Sequence, residues 1–413
     1  MRIRGLGDIS TSKLWLTVDI GIVAAGNAVA LILAARALTP AALSDFSIVL
    51  LVATSAVALQ RATILTPGFA TQRTSGQGAV PLRWALSVST PSGVVVGSSM
   101  LFIAPGQDPV SLAIASVPLL VLVLVADVAR AYLLNLQAAG RAAAADSVLF
   151  AAIVALFSFV ALSPAAATAT TLLLVYDAAV FGGTCLIVAF AVAARRNDER
   201  SSISLVATWR LGRWSGADNL LSALASIVPM VVTTSALNAA LAGEYRLLQS
   251  AIGPLNVLTT SIIASVGIES WRLIDANALR RLHKQVVRMT VGLTLFTLVY
   301  IVAAELLIIW ASGLSSPSIL RVAVVCAIAG LLNSLRTPSQ AAALALGGQR
   351  YGFVIRVFVV IAAAALTFLG GWTSLLPWDD PIGWIAIVSS LANLVGWRIA
   401  YARSAREASS EIT

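Results

Sequence analysis

Charge is scarce in this chain. Only 11% of its 413 residues are Asp, Glu, Lys or Arg, where an ordinary soluble domain carries about a quarter. Histidine and cysteine are rarer still, at one and two residues. Cys185 and Cys326 fall inside apolar runs with no ligand-like neighbour, so no disulfide, metal site or thiol nucleophile is expected. His283 stands alone in an arginine-rich stretch and reads as a solvated loop residue. Long polar segments are missing too, which leaves no room for an extramembrane domain. The outer turns offer a few carboxylates on short connections, a poor setting for an enzyme, and no catalytic residue or cofactor is expected.

What the chain has instead is apolar surface, with 59% hydrophobic residues. A run of roughly 20 such residues spans a hydrocarbon core about 30 Å thick. Runs fall at about 14–37, 42–60, 84–104, 111–138, 143–163 and 166–194, then at about 214–237, 241–268, 289–311, 318–346, 352–374 and 382–402. The first reads as a retained anchor. It is longer than the roughly 7–15 residues of a signal-peptide core, and Arg36 interrupts its Ala35–Ala37 pattern.

The basic residues test this count. With the N-terminus in the cytoplasm, 24 of the 27 fall on inner loops or inner span ends, and only Arg36, Arg246 and Arg321 fall outside. A wrong number of spans scrambles that alternation. The net charge of +9 therefore reports topology and not nucleic acid. The expectation is an all-α, multi-pass protein of the cell membrane, with twelve transmembrane helices and both termini cytoplasmic. The two halves divide at 1–197 and 198–413. Residues 198–213 link them, with Ile203, Val206, Trp209 and Arg210 at the intervals of an interfacial helix.

An internal repeat supports two halves. Shifted by 199 positions, Trp15 meets Trp214, Asp19 meets Asp218, and Asp45-Phe46 meets Glu244-Tyr245. Asp127-Val-Ala-Arg130 likewise resembles Asn333-Ser-Leu-Arg336, and both runs end in glycine turns. An even number of spans per half makes the repeat parallel: two six-helix bundles around a central cavity. Asp19 and Asp218 lie one helical turn deeper than their tryptophans. They either cap helix N-termini or form a pair at the inner mouth of that cavity.

Arg130 and Arg336 stand roughly 15 Å inside their spans at helical rise. A charge there costs at least about 2.5–3.5 kcal/mol, so each is either paired or facing a wet cavity. Asp127 offers Arg130 an intrahelical partner; Arg336 has Asn333 at that spacing. Asn27 and Asn256 are further polar groups inside spans, where helix packing by hydrogen bonds is the ordinary role. Asp177 and Glu305 are costly enough to be candidates for ion coupling.

Three stretches carry a family resemblance. ARALTPAALSDF (35–46) resembles the outer corner of polysaccharide and oligosaccharide-lipid flippases, with Ser44 in the usual glycine position. DVARAYLLNLQAAGRAAAADSV (127–148) is similar to their fourth-to-fifth-span segment, and AGEYRLLQSAIGPLNVL (242–258) to their eighth span. They belong to the multidrug/oligosaccharidyl-lipid/polysaccharide exporter superfamily. The resemblance implies a central cavity formed largely by helices 1, 2, 7 and 8, and arginines that meet a lipid diphosphate. Arg61, Arg246, Arg130 and Arg336 are the arginines on offer here. The expected function is a flippase for a polyprenyl-diphosphate-linked oligosaccharide, working by alternating access. Its expected partners are that substrate, membrane lipid and polysaccharide-assembly enzymes. The alternative is a cation-coupled exporter of drugs or small molecules with the same fold.

Overall fold

The computed structural model describes residues 6–65, 82–103, 108–136, 138–163, 167–194, 205–232, 234, 239–250, 255, 276–313, 319–346, 349–372 and 381–410. Twelve principal helices run through them. In chain order these are α1 (Leu6–Ala37), α2 (Pro40–Gln60), α3 (Leu82–Ser98), α4 (Pro109–Asn135), α5 (Ala139–Leu162), α6 (Ala169–Ala193) and α7 (Leu205–Val232). Then follow α8 (Ala239–Gln249), α9 (Ala276–Ser312), α10 (Ile319–Ala345), α11 (Gln349–Trp372) and α12 (Pro381–Ser410). A short turn of helix, Met100–Ile103, follows α3, and a π-helical turn, Arg61–Leu65, ends α2. Eight helices among the described residues are long and apolar enough to cross a membrane, and Gly21–Ala37, Gly216–Val232 and Tyr351–Leu366 are shorter apolar segments. This is an all-α, polytopic membrane protein.

Local chemistry starts several helices where the sequence places its outer turns. Thr39 caps α2, accepting from the Ala42 amide, and Pro40 follows at the first helical position. Asp108 and Pro109 do the same for α4, and Thr168 caps α6. Each cap side chain accepts an amide proton that has no intrahelical partner, and proline gives up an amide that would be orphaned there.

The chain forms two compact units, Met1–Leu220 and Leu221–Thr413, with the division falling inside α7. In the first, α1 packs on α5, α3 on α4, α4 on α6, and α5 on α6, while α2 touches α4 and α6. In the second, α9 packs on α10, α10 on α12, and α11 on α12, while α8 touches α10. Four pairings recur six helices later: α2–α4, α3–α4, α4–α6 and α5–α6 return as α8–α10, α9–α10, α10–α12 and α11–α12.

Hydrocarbon is as apolar as leucine, so close packing holds such helices together more than burial does. The Gly-Val-Val-Val-Gly run of α3 shows this. A Cβ on Gly93 would lie 2.6 Å from Val121 Cα, and one on Gly97 2.6 Å from Val117 Cα. Two glycines four residues apart thus let α3 lie directly on the α4 backbone. In the second unit Gly352 of α11 receives the ring of Trp397 from α12.

Leu205–Arg213 continue straight into α7 as one helix, and residues 198–204 lie outside the described residues. The helix starts also decide the capping alternative. Asp19 in α1 and Asp218 in α7 each have at least three helical turns before them among the described residues. Both are far from any orphan amide, so neither is an N-cap.

Candidate functional site

α4 and α5 are consecutive helices that touch, separated in sequence only by residues 136–138. A residue a turn or two before that connection on α4 faces one at similar height on α5. Arg130 stands five residues from the α4 end at Asn135, and Asp146 seven residues past the α5 start at Ala139. At about 1.5 Å per residue, Arg130 is therefore shallower than the sequence count suggested. The Arg130 guanidinium donates through Nε to Asp146 Oδ2 at 2.7 Å and through Nη2 to Asp146 Oδ1. This is a two-point fork, the strongest geometry for such a pair.

Asp127 is on the same helix as Arg130, yet its main partner is elsewhere. Arg61, on the π turn ending α2, donates to Asp127 Oδ1 through Nε at 2.8 Å and also through Nη2. Arg130 Nη1 lies 3.7 Å from that same oxygen. The intrahelical pairing read from the sequence is thus a secondary contact. Asp19, from α1, completes the cluster with its Oδ2 3.7 Å from Arg130 Nε.

All three carboxylates and Arg130 are buried; Asp19 and Asp127 are fully so. Neither Asp19 oxygen makes a hydrogen bond as an ionised carboxylate, and Asp146 is its carboxylate neighbour. The five groups thus bring three acids against two guanidiniums. Small side chains make room for them: Ala126, Ala129, Ala142 and Ala145 flank the charged positions within one apolar cluster shared by α4, α5 and α6. Gln60, next to Arg61, ties α2 to α4 by donating to the Leu124 carbonyl at 3.0 Å.

The cluster forms part of the wall of a cavity of about 190 Å³ within the first unit. Arg61, Arg130 and Asp146 line it at one side. Most of the remaining wall is apolar, including Ile22, Leu50, Phe150 and Ile153. Asn27 and Tyr176 supply a second polar point, the Tyr176 hydroxyl donating to Asn27 Oδ1 at 3.2 Å. Tyr176 also meets Phe46 and Phe157 edge-on, with ring centroids 6.3 and 5.7 Å apart. That geometry suits aromatic quadrupoles and fixes the ring that faces the cavity. A mostly apolar pocket with few convergent polar groups is the usual form of a small-molecule site.

The other expected site residues are dispersed. Asp177 is buried on α6 beside Tyr176 in sequence but does not line the cavity. Asp218 is half-buried on α7, and Glu305 is buried on α9. Arg246 donates to Gln249 one turn along α8. Arg336 is half-buried on α10. Asn256 lies outside the described residues. Sequence reasoning missed Asp146, although its signal was present: a carboxylate inside an apolar run, nearly mirrored across the 136–138 turn by Arg130.

No family model and no curated protein sequence matches the chain. Solved structures do. An outward-facing multidrug resistance MATE family transporter of the MOP superfamily superposes with a TM-score of 0.63 at 15% identity, covering 99% of this chain and 97% of that one. An inward-facing one gives 0.62 at 12%, covering 97% and 98%. A MOP superfamily transporter from Pyrococcus furiosus Vc1, described as having a binding pocket of reverse polarity that suggests a different function, gives 0.54 at 13%, covering 98% and 95%. At these identities the likeness establishes the fold.

These findings correct the flippase expectation. The likeness is one of fold, and the structures that match are described as MATE family transporters, not as oligosaccharide-lipid flippases. The oligosaccharide-lipid substrate and the polysaccharide-assembly partners are withdrawn with it. The physical reason lies in the cluster. Arg130 and Arg61, two of the arginines expected to meet a diphosphate, are already held by Asp146 and Asp127, and a third carboxylate tips the balance toward acid. With both guanidiniums engaged by carboxylates, neither is left to take a diphosphate.

Proposed function

We propose that the chain is a cation-coupled exporter of small lipophilic cations that works by alternating access and does no chemistry on its cargo. One observation carries the reading: an apolar, aromatic-walled cavity adjoins a buried cluster of three carboxylates and two guanidiniums. A carboxylate without a balancing charge is expensive in low dielectric. A proton or a cation relieves that cost. Asp19 is the least committed of the three acids, so it is the coupling group. Once protonated it can donate to Asp146, which costs nothing in the Arg130 fork. Asn27 and Tyr176 orient the cargo from the opposite wall.

The wider architecture in this proposal is twelve spans in two parallel six-helix bundles, 1–197 and 198–413, in the plasma membrane with both termini cytoplasmic. The arginine distribution and the recurring helix pairings support it. Asp177 and Glu305 are further coupling candidates, and Asp218, Arg246, Asn256 and Arg336 are cargo contacts of the second half.

Reconstitution tests the reading. Ethidium efflux from proteoliposomes is expected to follow an imposed proton or sodium gradient, and Asp19→Asn is expected to lose that dependence while inserting normally. Efflux that ignores both gradients, or an Asp19→Asn protein as gradient-driven as the parent, refutes it.

A further inference from the structure

The two arginines of the cluster are not equivalent. Arg130 is buried and held by both oxygens of Asp146. The Arg61 side chain is 48% exposed and stands on the cavity wall, although the Asp127 side chain it holds is only 1% exposed. Its backbone is in the π turn Arg61–Leu65, and such turns are rare and concentrated at functional positions. Asp127 has little else: its Oδ2 makes no hydrogen bond, and its contact with Arg130 is 3.7 Å long.

We propose that Arg61 is a tethered counter-ion that occupies, on Asp127, the subsite an organic cation takes during transport, and that the cargo displaces it. This rests on the exporter reading and adds a selectivity device to it. Exchanging one cation for another leaves the cluster's charge count unchanged, so the swap strands no buried charge. A neutral molecule of the same shape cannot make the exchange, because the departure of Arg61 would leave Asp127 uncompensated. Half its surface already meets open space, so the guanidinium has somewhere to go. The neighbouring Arg130 cannot play this part, since leaving Asp146 breaks both bonds of a buried fork.

Displacement has a signature that a purely structural salt bridge lacks: removing Arg61 improves binding. Apparent affinity falls by the fraction of time a site is unavailable, so an arginine that holds Asp127 about nine-tenths of the time weakens cation binding about tenfold. The test is equilibrium binding of ethidium, followed by its fluorescence, to the purified full-length protein in detergent micelles. Arg61→Gln is expected to bind about tenfold tighter than the parent, and Asp127→Asn to bind more weakly. Parent-like or weaker binding by Arg61→Gln overturns the proposal. Should Arg61→Gln fail to fold, Arg61→Lys, which keeps a charge but loses the fork, is expected to bind more tightly than the parent; equal or weaker binding overturns it equally. Absence of saturable binding to the parent itself refutes the exporter reading and this inference with it, so the two failures are distinguishable.

Discussion

Asp146→Asn isolates what the buried fork contributes. The substitution preserves shape but removes the charge that holds Arg130 at two points. Breaking a buried pair by removing one partner costs about 3–5 kcal/mol, because the surviving charge stays desolvated. Asp127 and Asp19 lie at 3.7 Å from the same guanidinium. They soften the loss, which places it near the lower figure, about 3 kcal/mol. For a unit of this size each kcal/mol moves the midpoint by about 2–4 °C, so a fall of about 6–12 °C is expected in a thermal unfolding scan in detergent. Substituting both partners, Arg130→Gln with Asp146→Asn, removes the stranded charge and should recover much of the loss. A single variant within about 2 °C of the parent, or a double variant worse than the sum of the singles, refutes the argument that desolvation dominates here.

Two further perturbations address packing and pH. Gly97→Ala would put a methyl 2.6 Å from the Val117 backbone, so α3 must lift from α4 at a cost of about 1–3 kcal/mol; an unchanged thermal midpoint would count against the glycine contact. Asp108, outside the spans, is held below its ordinary 3.8 chiefly by the Ser111 hydroxyl, then by the Ser111 and Val110 amides, all favouring the charged form. A depressed folded value means the cap contributes above the unfolded pKa and is lost as pH falls through the folded one. The protection of the Ser111 amide, its exchange relative to the free-peptide rate at the same pH, should therefore fall below about pH 4 in the parent. Asp108→Asn, which caps without a charge, should show no such step.

Much of this molecule is legible without coordinates. Hydrocarbon offers no water to a backbone amide, so apolar runs of spanning length must be helices. The alternation of arginines led to an expected twelve spans; eight helices among the described residues are long and apolar enough to cross a membrane. The helix limits at 40–65, 109–135 and 169–193 lie close to the runs read from hydropathy.

The charge partners were not legible, because they depend on which faces of different helices meet. Asp127 stands three residues before Arg130 but binds chiefly Arg61, 66 residues away. Asp146 reaches Arg130 only because α5 lies beside α4. From the sequence, the arginines were countable cations suited to a diphosphate. In the folded unit Arg61 and Arg130 are engaged by Asp127 and Asp146, with Asp19 from α1 beside them, so the cavity wall offers no free guanidinium. The chain itself determined the apolar spans and the helices, since each depends on local composition. The pairing of the site's charges belonged to the tertiary structure, since Coulomb energy follows distance in space, not separation in sequence.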